Sequence, residues 1–311
     1  MKRQQAFLEN KKMLKGGLHC HTTRSDGAGT PEEVIRLHKD NGYDFLAITD
    51  HRKYNFENFA PDTGITIIPG MEFDNIFYRD KGYRCFHTVC IGPSKEDGNP
   101  FEQDEIVRSY KGKANNQEEY QAYLDDFHSK KNLTFYCHPE WSATSARDFE
   151  KMHGDFAMEI WNSGCALVND MDKDAAYWDE LLGQGNKIFG VATDDGHSMY
   201  QHCKGWVMVR AENNINSILS ALEEGKFYSS CGPEIYDFYE EDGKVVVECS
   251  PVSAIRLHSF GHPTNVVRSE KGGLTRAEFN IVGHWSGEFK YVRITIIDKD
   301  GHYAWTNPIF L

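Results

Sequence analysis

Along the first two-thirds of the chain, short and nearly continuous apolar runs alternate with segments of helical spacing. The runs at residues 14–18, 43–49, 65–68, 86–91, 133–137, 156–161 and 188–193 have the length of strands. Residues 30–41 give the clearest helix: Thr30 can cap it, Pro31 suits the first helical position, Glu33 completes a capping box, and Gly42 stops it. Residues 118–130, 175–182 and 215–222 also read as helices, the last with Gly225 as its stop. Strands that are apolar on both faces and alternate with helices predict a parallel sheet or barrel.

The pattern changes twice. Residues 93–116 are polar and charged with weak periodicity, which fits a surface insertion or a lid. After Gly225 come short alternating runs at 244–248, 254–258 and 291–297, divided by turn signals at 241–243, 271–273 and 299–301. These predict a small antiparallel, sandwich-like β domain. The expected division is therefore 1–225 and 226–311.

Composition narrows the functional classes. The chain has 311 residues, 40% of them hydrophobic, which is ample for a core. A net charge of −13 argues against a general nucleic-acid or membrane binder. It leaves room for a small anionic substrate whose charge is met locally by metals. The basic, polar start of the chain does not have the apolar run of a signal peptide, and no later stretch has the length and hydropathy of a membrane span, so a cytoplasmic location is expected. The eight cysteines contain no Cys-x-x-Cys pair and read as reduced, mostly buried thiols.

The candidate chemistry is positional. His19 and His21 follow the first apolar run, and Asp50 and His51 follow the second. Glu72 comes after a Pro-Gly turn beyond the third, His138 after the run ending at Cys137, and Asp195 and His197 after the run ending at Thr193. Potential metal ligands thus recur at the C-terminal ends of strands, where α/β proteins build their sites. His19 and His21 are two apart, so an extended backbone points both imidazoles the same way. Asp195 and His197 share that spacing. Glu72 has two oxygens and could bridge two cations.

Each residue also has an ordinary structural alternative. The His-x-His pair could be incidental, Asp195-Gly196 a turn, Glu72 a solvated surface acid, His87 a core histidine, and Asp26 an Asx-turn residue. His38, His128, His153, His202, His258, His262, His284 and His302 read as structural or surface residues.

Taken together, Leu18-His-Cys-His-Thr22 with Ser25-Asp-Gly27, Ile48-Thr-Asp-His51, Gly70-Met-Glu72, His87, Cys137-His-Pro139 and Thr193-Asp-Asp-Gly-His197 resemble the polymerase and histidinol phosphatase (PHP) superfamily of metal-dependent phosphoesterases. The likeness covers about residues 14–225. It implies a distorted (β/α)7 barrel with two or three divalent metal ions (Zn, Mn or Fe). By position, His19, His21, Glu72 and Asp195 would hold one metal, Glu72, His87 and His138 a second, and Asp26, His51 and His197 a third. Some members carry histidine where this chain has Asp26. The C-terminal segments 221–233 and 304–309 resemble a subgroup with an added β domain, which includes carbaryl-hydrolase-like proteins.

The implied reaction is hydrolysis of a small phosphomonoester or phosphodiester by in-line attack of a metal-bridged hydroxide. Asp50 would orient a ligand, and His197 could protonate the leaving oxygen. Arg24 and Arg52 are candidate phosphate contacts, while Lys53 reads as a solvated charge. The alternative substrate is a carboxylic ester, carbamate or amide, because activated water serves acyl and phosphoryl transfer alike.

Overall fold

The computed structural model describes residues 1–79, 82–107, 116–149, 152–282 and 289–311. Residues 108–115 of the polar insertion, and His284, lie outside the described residues.

In chain order, β1 (Lys2–Arg3) and β2 (Met13–Gly17) precede α1 (Pro31–Asp40), and β3 (Phe45–Ala47), β4 (Thr66–Ile68), β5 (Gly70–Arg79) and β6 (Gly82–Ile91) follow it. Next come α2 (Gln117–Ser129), β7 (Leu133–Tyr136), β8 (Ala157–Asn162), α3 (Ser163–Asn169), α4 (Asp174–Gly183), β9 (Phe189–Thr193), β10 (Trp206–Arg210), α5 (Ile215–Glu223) and β11 (Phe227–Ser230).

α1 forms for the reasons visible in its sequence. The Thr30 hydroxyl accepts from Glu33 N, the Glu33 carboxylate accepts from Thr30 N at 2.8 Å, and Val34, Ile35 and His38 form the buried face. Gly42, at φ 77°, takes the left-handed turn that ends the helix.

The regular ladders form two sheets rather than one closed barrel. In the first, β2, β3 and β4 are parallel, while β10 and β11 add antiparallel on the other side of β2. In the second, β5 and β6 form an antiparallel hairpin, β6 pairs antiparallel with β7, and β7, β8 and β9 are parallel. Two local causes depart from strict strand–helix alternation. Pro69, which has no N–H for a ladder, separates β4 from β5. β5 and β6 then pair residue for residue along ten positions without a helix between them. Glu72 consequently lies within a strand instead of following a turn.

Isolated parallel bridges join the two sheets where their strand ends meet: Cys20 with Gly196, and His51 with Glu72. This seam gathers the C-terminal ends of β2, β3 and β9 against the start of β5.

The C-terminal β region holds β12 (Ile235–Glu241), β13 (Lys244–Val252), β14 (Ala254–Ser259), β15 (His262–Arg268), β16 (Leu274–Asn280), β17 (Tyr291–Ile297), β18 (Tyr303–Thr306) and β19 (Ile309–Phe310). β12, β13 and β16 form an antiparallel sheet that β1 also joins. β14, β15, β17 and β18 continue the first sheet across β11, so the sheet crosses residue 225 without a break. Phe238, Val245, Val247, Ile255, Ile294 and Ile296 share one core in this region.

α4 meets this region through a buried polar group. Arg293 is fully buried; its Nη2 lies 2.6 Å and its Nε 2.8 Å from Asp179 Oδ1, and its guanidinium stacks 4.4 Å from the Trp178 ring centroid. His258 Nδ1 is 2.9 Å from Asp179 Oδ2. All eight cysteines are free, and seven are buried. Among the described residues, no helix is long and apolar enough to cross a membrane.

Candidate metal centre

The seam between the sheets collects the strand-end residues into overlapping groups. His19, His21, Glu72 and Asp195 each offer a ligand atom within 4.8 Å of the others. So do Glu72, His87 and His138, and so do His21, Asp26, His51 and His197.

Glu72 links the first two groups. Its Oε2 is 3.5 Å from His19 Nε2 and 3.3 Å from His21 Nε2, while its Oε1 is 2.9 Å from His87 Nδ1 and 3.5 Å from His138 Nε2. Asp195 Oδ1 faces His19 Nε2 at 3.3 Å and His21 Nε2 at 3.0 Å. Asp26 joins the third group, with its carboxylate oxygens 3.5 Å from His51 Nε2 and 3.5 Å from His197 Nε2.

Backbone geometry aims these side chains. The bridge of Cys20 to Gly196 keeps the segment after β2 extended, so His19 and His21 point the same way. His138 and Asp195 have φ of 30° and 48°, a left-handed conformation that costs about 1–3 kcal/mol per residue and that the surroundings must enforce. Gly27 allows its turn to close, because a Cβ there would lie 2.5 Å from the His21 carbonyl.

Asp50 is a clamp on that turn and is not a member of the ligand groups. It accepts from Thr22 N at 2.8 Å, Thr22 Oγ1 at 2.8 Å and Ser25 Oγ at 2.7 Å, holding the segment that carries His21 and Asp26.

Four contributors were not among the expected residues. Glu159, fully buried in β8, lies 2.7 Å from His19 Nδ1 through Oε1 and accepts from His138 N at 2.8 Å through Oε2. Asn162 Nδ2 donates to Asp195 Oδ2 at 3.1 Å, and Ser142 Oγ meets His138 Nδ1 at 3.1 Å. Asp74 Oδ1 is 3.4 Å from His51 Nδ1. A signal for Glu159 exists in the sequence, since it is the only ionisable residue in the apolar run 156–161. A buried charge there needs partners.

Charge balance is visible in the protonation energetics. Burial raises the Glu72 carboxyl, but His51, His87 and His19 outweigh it and hold the group well below the usual range. Burial pushes His51 down, yet Glu72 and Asp74 reverse this and raise it to about 11; His87 is raised to about 10, chiefly by Glu72 working against burial. The carboxylates therefore call for positive charge.

The donor set fits divalent metals. Glu72 Oε2, Asp195 Oδ1 and His51 Nδ1 are buried and make no well-aligned hydrogen bond among the described residues, although His51 Nδ1 lies 2.9 Å from Glu72 Oε2 and Asp195 Oδ1 lies 3.0 Å from His21 Nε2. Buried polar atoms are seldom left so. His19 Nε2 and His21 Nε2 face each other at 3.2 Å, an arrangement natural for nitrogens sharing an ion.

A cavity of about 350 Å³ opens on the cluster, lined by Asp26, His51, His87, Trp141, Val168 and His197 among others. Trp141 stands against His87 and His138, with ring centroids 5.7 and 5.0 Å away. No Lys or Arg is among the described lining residues. The Arg24 guanidinium bonds to Asn55 Oδ1 at 2.7 Å and to Asp104, Arg52 Nε lies 3.0 Å from Asp74 Oδ1, and Lys53 Nζ donates to Arg24 O at 2.7 Å.

The sequence profile of the PHP domain family matches residues 17–230. The structure resembles a two-domain protein of Bacteroides vulgatus ATCC 8482 that contains a predicted PHP-like metal-dependent phosphoesterase: TM-score 0.50, 16% identity, covering 99% of this chain and 98% of that one. A putative metal-dependent phosphoesterase of Bifidobacterium adolescentis gives TM-score 0.41 and 14% identity over 58% of this chain and 87% of that one. An amidohydrolase of Chromobacterium violaceum gives 0.39 and 17% over 59% and 88%. No curated protein matches the chain.

Proposed function

This chain belongs to the PHP domain family, and we propose that it is a metal-dependent phosphoesterase acting on a small phosphomonoester or phosphodiester. The observation that carries this reading is Glu72, whose two oxygens face two separate imidazole groups as a bridging carboxylate's would. In this reading the two sheets are the parts of a distorted barrel of the PHP type.

His19, His21, Glu72 and Asp195 would hold one divalent ion, and Glu72, His87 and His138 a second. Asp26, His51 and His197 would surround a third. Mixed imidazole and carboxylate donors suit Zn, Mn or Fe(II). When bound, such ions polarise the phosphoryl oxygens and bring a water's pKa near neutrality.

The chain's own residues prepare that chemistry. Glu159 engages His19 Nδ1, which turns the Nε2 lone pair toward the cluster, and Ser142 orients His138 in the same manner. Asp50 fixes the turn that delivers His21 and Asp26. His197 donates from Nδ1 to Asp195 O at 2.9 Å, leaving Nε2 beside Asp26 on the cavity wall. From there it can serve as a ligand or give a proton to the leaving oxygen. Trp141 and Val168 supply apolar wall for the remainder of the substrate.

A second reading, hydrolysis of a carboxylic ester, carbamate or amide, is favoured by one observation. The described cavity wall offers no Lys or Arg to a phosphate, so all compensation of substrate charge would fall to the metals. Parallel assays of metal-loaded protein on an aryl phosphate, a bis-aryl phosphate and the matching aryl acetate decide between them. Turnover of a phosphate ester is expected. Turnover of the acetate alone would overturn the leading reading.

A further inference from the structure

A second group of ligand-type side chains lies in the core between α1 and the loop that follows β9. It shares no residue with the centre described above. His38, Asp194 and His202 are 0%, 2% and 3% exposed, and one ligand atom from each lies within 4.8 Å of the others.

The hydrogen bonds leave a defined deficit. His38 Nδ1 lies 2.8 Å from Val34 O and so carries the proton that it donates there. His38 Nε2 has no hydrogen-bond partner among the described residues and sits 3.5 Å from Asp194 Oδ2. Asp194 Oδ1 accepts from Lys204 N and Gly205 N, both at 2.8 Å, which uses its two lone pairs. Asp194 Oδ2 accepts from Cys203 N at 2.7 Å and keeps one lone pair. The bare faces of an imidazole and a carboxylate therefore look at each other in the protein interior, and a cation must lie between them.

A proton on His38 would satisfy that pair alone. It would leave His202 with both ring nitrogens buried and unpartnered, and each missing bond costs about 1–3 kcal/mol. A metal ion shared by all three residues satisfies the His38–Asp194 pair and also gives one His202 nitrogen a partner. Ligands about 2.0–2.1 Å from a tetrahedral zinc are about 3.4 Å apart, close to the 3.5 Å between His38 and Asp194. His202 is held in place from above, because a Cβ on Gly196 would lie 2.5 Å from its ring.

We propose that His38 Nε2, Asp194 Oδ2 and a ring nitrogen of His202 form a buried structural site for a zinc-type divalent ion. Its three donors are buried and none lines the cavity, which distinguishes such a site from a catalytic one, where a position stays open to substrate. The ion staples α1 to the loop that carries Asp195 and His197. It acts on the hydrolytic centre by fixing that loop, not by touching substrate.

Zinc counting after loading and dialysis tests this in the full chain. Glu72→Gln, which weakens the hydrolytic centre, should still retain one tightly held zinc per chain. The double variant Glu72→Gln/His202→Asn should lose it. Wild-type crystals grown with zinc should show anomalous density between His38 and His202, a measurement independent of how the variants fold. Zinc-loaded wild-type crystals without that density overturn the proposal, as does an unchanged zinc count in a folded double variant.

Discussion

Glu159 Oε1 lies 2.7 Å from His19 Nδ1, on the side of the imidazole turned away from Glu72 and Asp195. The same carboxylate accepts from Thr193 Oγ1 at 2.6 Å, Asn162 Nδ2 at 2.9 Å and His138 N at 2.8 Å. It thereby sets both the tautomer of one candidate ligand and the backbone position of another. Replacing it by glutamine keeps the shape and removes the charge that makes His19 a stronger donor. Glu159→Gln should weaken metal affinity by about 10–100-fold while leaving the fold intact, as read by metal titration beside circular dichroism. Unchanged affinity would remove Glu159 from the metal centre.

Glu72 has a harsher expectation. Glu72→Gln removes the charge that both imidazole groups face, so two metals lose a shared ligand. The variant should release at least one metal equivalent, and kcat/KM should fall by at least ~100-fold, which corresponds to about 2.7 kcal/mol. Chelation of the wild-type protein should abolish the same activity, and re-addition of Zn, Mn or Fe(II) should restore it. A fully active Glu72→Gln protein would exclude the bridging role.

The contact between α4 and the C-terminal β region predicts a stability effect. Arg293→Ala would leave Asp179 buried without its cation, at a cost of about 3–5 kcal/mol in urea unfolding. Arg293→Met combined with Asp179→Asn should recover much of that loss, because no uncompensated charge then remains. Equal losses in the two proteins would mean that the packing of Arg293 on Trp178 matters more than its charge.

His258 gives that contact a pH dependence. Burial first, and Arg293 second, lower its imidazole to about 4 from an ordinary 6.5. Between those values the unfolded chain binds a proton that the folded chain refuses. Stability therefore rises with pH through this window and is lost as pH falls from about 6.5 to about 4. The full contribution is about 3 kcal/mol. His258→Gln should show a shallower fall in melting temperature across that interval than the wild type. Parallel curves for the two proteins would show that His258 does not carry the effect.

Much of the candidate site is legible in the order of residues along the chain. Alternate-residue spacing places His19 with His21, and apolar runs ending at Thr49, Cys137 and Thr193 announce where Asp50, His138 and Asp195 emerge. The capping residues Thr30, Pro31 and Glu33 mark the start of α1. Other features are hidden for physical reasons. Residues 70–79 mix Asp, Asn and Glu with apolar residues, so β5 does not read as a strand, and its pairing with β6 conceals that Glu72 and His87 sit in one hairpin. β15 has exposed residues on both faces and therefore shows no apolar alternation. The insertion or lid expected over 93–116 falls partly on residues 108–115, outside the described residues.

Residue chemistry and local periodicity determined which side chains could bind cations, and that His19, His21, His138 and Asp195 would emerge at strand ends, because both are properties of a few consecutive positions. Only the tertiary structure decided how those side chains group. It turned the two oxygens of Glu72 toward different imidazoles, placed Glu159 behind His19 from 140 residues away in the chain, and withdrew Arg24 and Arg52 from the cavity wall. It also set His38, Asp194 and His202 side by side, three residues whose local sequence marks none of them as partners. Such groupings arise where separate strands and helices converge, and hydrogen-bond and charge compensation in a buried space selects the partners there.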